Sequence, residues 1–180
     1  MPTMQTTPVT TAEQLLELHE PGCRHELVRG ELRRMDFADS CSGAVAASAL
    51  AVLDEHVSQR RLGSVVATGT GFALEHDPDT VRAPAAAFVA ASRTPTAVSH
   101  GYFNGPPDLA VEVPSWHDSH AYVHEKALYW ITCGTRLVWV IEPVAQMVTV
   151  YRPDGSQRVL RTDDVLPGFS VRVRELFPDG

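Results

Sequence analysis

The sequence predicts an α/β (α+β) domain, a mixed β-sheet core flanked by helices, and three patterns carry that expectation. In PDLAVEV at 107–113, Leu109, Val111 and Val113 alternate with Asp108, Ala110 and Glu112, the period of two that marks a strand with one face on a core. From Gly43 to Arg61 the residues Val45, Ala49, Val52, Leu53 and Val57, and from His120 to Cys133 the residues Val123, Ala127 and Ile131, recur at helical spacing. RLVWVIE and QMVTVYR, on either side of Pro143, Val144 and Ala145, read as two paired strands.

Residues 1–10 read as a flexible lead-in and residues 11–180 as a single domain. Thr11 is placed to cap a short helix, TAEQLLEL, with Glu13 and Gln14 in its first turn and Pro21–Gly22 beyond its end. In HELVRGELRRM, Gly30 divides Leu27–Arg29 from Leu32–Met35, a hairpin or a bent strand. DFADSCSG at 36–43 reads as a loop before the long helix, whose Arg60 and Arg61 suit the negative end of its dipole. SVVAT and GFALE follow as strands on either side of Gly69, with DPDT at 77–80 as a turn. RAPAAAFVA reads as one strand and 91–107 as a loop. Pro114 ends the pairing of the 107–113 strand, and Gly134 closes the helix after it. DDVLPGFSVRVREL reads as a turn and a short alternating strand with Arg172 and Arg174 outward, ending in an apolar patch at Leu176 and Phe177.

At 180 residues and 44% hydrophobic content the chain can bury a core without disulfide or metal staples. No apolar run approaches the ~18 residues of a membrane span, and the first ten residues have neither basic nor apolar leader character. A cytoplasmic protein with no membrane partner is expected. Cys23, Cys41 and Cys133 are odd in number and lack CxxC spacing, which argues against a disulfide framework or a zinc ribbon. The net charge of −7 repels nucleic acid overall, so any DNA contact has to be local or carried by cations.

TAEQLLEL, HELVRGELRRM, the strand opened by Arg82-Ala83-Pro84, PDLAVEV, EKALYW, GTRLVWVIEP, VTVYRPDG and VLPGFSV occur in that order across about residues 11–177. Together they resemble the Uma-two family of restriction-endonuclease-like proteins. The resemblance implies a restriction-endonuclease-like fold of the PD-(D/E)xK nuclease superfamily, a Mg or Mn cofactor, DNA as the partner, and a homodimer. In that superfamily an Asp on one strand and a Glu or Asp on the next hold the ion, with a lysine close by. Such a set suits phosphodiester cleavage, because a hard cation prefers carboxylate oxygens, holds a water and neutralises developing charge.

By resemblance Glu112 is the second-strand acid, catalytic and metal-binding, with the backbone carbonyl of Val113 as a further ligand. Pro114 occupies the lysine position of the standard motif, and Lys126 matches a lysine displaced to the following helix. Glu26 matches the family's N-terminal acid and Glu31 is a further candidate; without the resemblance these read as solvated acids, and Lys126 as a solvated helix residue. One departure bears on the chemistry. Where the family reads Arg-x-Pro-Asp, this chain reads Arg82-Ala83-Pro84-Ala85, so alanine stands at the position of the first metal-binding aspartate. Asp108 is no substitute, since four strand residues separate it from Glu112 by roughly 13 Å. A second departure is at Ser40–Ser42, where the family often carries histidine. Two functions follow as expectations: an endonuclease whose metal site is weakened or lost, or a catalytically degenerate member that binds, regulates or serves another reaction.

His117, His120 and His124 form a rival, zinc-type cluster with spacings of three and four. Helix geometry sets His124 about 200° and His120 about 120° from Lys126, so the histidines and the lysine cannot face one ion. His120 and His124 share a stripe with Ala127 and Ile131, where packing is the favoured role. His117 precedes the helix and has the freedom to turn toward Glu112.

Overall fold

The structure, a computed structural model, describes residues 8–94 and 100–177. Residues 1–7 of the expected lead-in and 95–99 of the expected loop lie outside the described residues. The mixture of helix and strand is as the sequence predicts, but the strands divide into two mixed sheets rather than one. The first sheet comprises β1 (Arg24–Val28), β2 (Glu31–Met35), β4 (Phe72–Glu75), β5 (Thr80–Arg82) and β7 (Phe103–Asn104), in the order β2-β1-β5-β4-β7. The second comprises β3 (Gly63–Ala67), β6 (Ala86–Ala90), β8 (Leu109–Glu112), β9 (Leu137–Glu142), β10 (Met147–Tyr151) and β11 (Gln157–Arg161), in the order β11-β10-β9-β8-β6-β3. Each has one parallel pair, β4 with β7 and β8 with β9.

Three α-helices complete the described elements: α1 (Ala12–Glu17), α2 (Ser40–Arg60) and α3 (His120–Thr132). Thr11 and Gln14 form a reciprocal capping box at the start of α1. The β1–β2 hairpin turns through Arg29 and Gly30, both left-handed with φ of 51° and 74°, a conformation that glycine adopts without steric cost. The second sheet is covered on both faces. Val45, Ala49, Leu53 and Val57, one stripe of α2, pack on the side of Leu109, Val111, Trp139 and Ile141. Ala127 and Trp130 of α3 pack with Ala110, Val138 and Val140 on the other side, where Phe72 of the first sheet joins them. Trp130 meets Phe72 edge to face at 6.1 Å, a favoured aromatic geometry.

Several expectations are corrected. β8 does not bury one face only: Leu109 to Glu112 are all buried, because the strand is central in its sheet and a helix covers each side. RAPAAAFVA is not one strand. Pro84 has no N–H to donate to a ladder, and the chain leaves the first sheet at Arg82 and enters the second at Ala86. The loop at 36–43 is shorter than expected, since Asp39 caps Ser42 N at 2.9 Å and α2 begins at Ser40. Two strands arise where none is expected: β7 inside the 91–107 segment, and β11, whose side chains are exposed except Leu160. The C-terminal strand is instead an isolated bridge between Val165 and Arg172 followed by a 3₁₀ turn at Val173–Leu176. Val173 and Leu176 lie three positions apart, so a 3₁₀ turn aligns them and buries the predicted patch against α2.

Candidate active site

A cavity of about 640 Å³ opens where the two sheets, the first turns of α2 and the start of α3 meet. Its wall includes Glu26 of β1, Ala83–Ala85 between the sheets, Glu112 at the end of β8 and Lys126 of α3. Each is there for a local reason. Glu26 alternates with Leu27 along β1, and Leu27 packs under α1, which turns the carboxylate the other way. Lys126 follows from the burial of Ala127 and Trp130, which carries its side chain onto the sheet.

Lys126 Nζ lies 3.2 Å from Glu26 Oε1 and 3.1 Å from Glu112 Oε1, so one ammonium bridges two carboxylates. All three are buried, with exposures of 2% for Glu26, 9% for Glu112 and 6% for Lys126. Trp130 Nε1 donates to Glu112 Oε1 at 2.7 Å, and the Ala83 N–H donates to Glu26 Oε1 at 3.0 Å. Burial by itself depresses the pKa of Lys126, but attraction to Glu112 and Glu26 outweighs it and holds the ammonium above the usual lysine range. Two acids share one base, and Glu112 shows the effect of that crowding. Burial pushes its carboxyl up, opposed by Lys126 and reinforced by Glu26.

Other predicted residues fall into two groups. Val113 and Ala85 line the same cavity, Ala85 donating its N–H to the Val111 carbonyl at 2.9 Å. Glu31 does not; it is exposed on β2 with Arg33 Nη2 3.9 Å away. His117 does not turn toward Glu112. It is exposed and lies against the Trp116 ring, with centroids 3.6 Å apart. His120 and His124 are exposed rather than packed along the Ala127 face; His124 Nδ1 meets Tyr151 Oη at 3.2 Å. Asp108 is taken by Ala90 N–H at 2.8 Å and Arg93 at 3.2 Å, and Asp79 caps α1 through Ala12 N–H at 2.8 Å. The sequence does not single out Trp130 or Arg82, both at the site. For Trp130 the available signal is its spacing of four from Lys126, which places both on one helical face.

The donor set fits a divalent cation poorly. Mg takes about six oxygen ligands in near-octahedral geometry. Here the facing oxygens of the two carboxylates already accept from an ammonium, an indole and a backbone N–H, and a methyl group stands at position 85. Among the described residues no three His, Cys, Asp or Glu side chains are grouped to hold a metal ion. What the arrangement does chemically is hold a fixed cation where two acids converge.

A family model, Uma2, described as "Putative restriction endonuclease", matches residues 12–179. Among solved structures the chain is similar to the crystal structure of a "putative nuclease belonging to DUF820" from Anabaena variabilis ATCC 29413. The TM-score is 0.79 at 22% sequence identity, over 94% of this chain and 98% of that one, a likeness that speaks to the fold. No curated protein matches.

Proposed function

Because the chain belongs to the Uma2 family, we propose that it is a DNA endonuclease-like protein whose metal-dependent hydrolysis is weakened or lost. The observation that carries the reading is the position of Lys126, whose ammonium lies about equally close to Glu26 and Glu112, at 3.2 and 3.1 Å. A lysine cation there engages both acids that a metal would need and offsets one of their two charges, while Ala85 supplies no further carboxylate. DNA as the bound polymer, a homodimeric state, a cytoplasmic location and a single domain over 11–180 belong to the same reading.

The test is relaxation of supercoiled plasmid with Mg or Mn by the parent, Ala85→Asp, and Ala85→Asp combined with Glu112→Ala. Cleavage is expected to be weak or absent in the parent. Ala85→Asp is expected to raise it by about 10²–10³, the scale of one transition-state electrostatic contact, and Glu112→Ala to remove the gain. Calorimetric titration with Mg, Mn and Zn should show the same order in affinity. Robust parental cleavage that survives Glu112→Ala would place activity elsewhere. The second reading, a degenerate member that binds or regulates, is favoured by the size of the cavity, about 640 Å³, and silence from all three proteins would support it.

A further inference from the structure

Arg82, at the end of β5, is only 3% exposed and lines the cavity. Its Nε and Nη1 have no hydrogen-bond partner among the described residues. The guanidinium carbon sits 4.7 Å from the centre of the Tyr129 ring. That ring attracts the positive charge but accepts none of the N–H groups, which point outward in the guanidinium plane. Neighbouring acids are committed elsewhere. Glu26 and Glu112 are engaged by Lys126, and Glu75 Oε2 accepts from the Tyr129 hydroxyl and from Thr80 Oγ1. A buried charged donor without an acceptor is costly, so these N–H groups call for an acceptor from outside the described residues.

We propose that Arg82 is an anion receptor, and that the cavity takes a small organic anion with its carboxylate or phosphate head on the guanidinium and an apolar body along α2. Arginine suits that head because its planar fork matches carboxylate and phosphate oxygens in pairs. The body has a matching wall: Gly43, Ala46 and Leu50 of α2 and Val123 of α3 line the cavity, and a methyl group added at Gly43 meets nothing within 4 Å. At about 640 Å³ the space is of the size that holds small molecules. With Lys126, Glu26 and Glu112 together carrying one negative charge, Arg82 makes the set neutral, so an incoming anion meets no net repulsion. Such a receptor requires neither a metal ion nor a phosphodiester and is independent of whether the protein cleaves DNA.

The experiment titrates the full chain with 4-phenylbutyrate, phenyl phosphate, inorganic phosphate and the neutral 4-phenyl-1-butanol, by calorimetry and by shift in melting temperature. One of the aryl anions is expected to bind at one site per chain, roughly tenfold or more tighter than the alcohol, as a charge-assisted hydrogen bond implies. Which aryl anion binds identifies the head group. Arg82→Met is expected to abolish the preference for the anion and Arg82→Lys to keep part of it. Ala46→Leu should weaken the aryl anion while leaving inorganic phosphate unchanged. Equal binding of anion and alcohol, no binding of either aryl anion at millimolar concentration, or unchanged binding in Arg82→Met would overturn the proposal. If Arg82→Met fails to fold, the parent's anion-to-alcohol ratio and the Ala46→Leu result decide it.

Discussion

Lys126 is held between two buried acids that have no other cation within hydrogen-bond reach among the described residues, so its removal leaves two charges uncompensated in a dry interior. Lys126→Met is expected to cost about 3–5 kcal/mol in urea unfolding, and adding Glu112→Gln to that variant should recover part of the loss. Glu112 also gives the pair a pH signature. Its folded pKa is raised above the ordinary 4.5, so the folded state binds its proton more tightly than the unfolded state does. The parent is therefore expected to lose stability relative to Glu112→Gln as pH rises from 4.5 through the raised value, and to regain it on acidification. Unfolding midpoints of both proteins across pH 4 to 8 would show a flat difference if Glu112 were ordinary. The site was only partly legible. An acid in the apolar strand 109–113 marks Glu112 from the residues themselves, whereas Lys126 and Glu26 stand out only through family resemblance, and Arg82, which opens the Arg-x-Pro pattern, receives no role from either. Its isolation depends on where Glu75, Glu26 and Glu112 spend their oxygens, and that is a property of the packed molecule.

Among the elements, α2 offers a direct test, because Gly43 sits inside its first turns with ordinary helical backbone and open space where a methyl would go. Gly43→Ala is expected to stabilise the protein by about 0.5–1 kcal/mol, read as a rise in the urea midpoint at constant slope. Asp39→Ala should destabilise by about 1 kcal/mol through the lost cap. Helices and the β9–β10 hairpin are legible in the sequence because their apolar periods run long enough to outweigh exceptions. Short strands are not. QRVLR places one buried residue, Leu160, in five, too sparse a pattern to mark β11. The run from Ala83 to Ala90 is apolar throughout, and nothing local says that the chain changes sheet at Pro84.

At the scale of the molecule, Lys126 joins three bodies: α3 that carries it, the first sheet through Glu26 and the second through Glu112. Lys126→Met is therefore expected to speed hydrogen exchange selectively in β1 and β8, with the outer β10–β11 pair unchanged; uniform acceleration would mean only global destabilisation. The passage of the chain from Arg82 to Ala86 has a mechanical consequence as well. Arg82 and Ala86 are four residue steps apart, at most about 14 Å when fully extended, so covalent bonds cap how far the sheets separate at that end of the cavity. A different part of the wall, between α2 and the segment after β8, is held by hydrogen bonds. It is latched by Ser42 Oγ, 2.9 Å from the Pro114 carbonyl, and by the Trp116 N–H, 3.4 Å from Asp39 Oδ2. A larger guest is therefore expected to gain room where Ser42 lets go of Pro114, at a clasp rather than along the covalent seam.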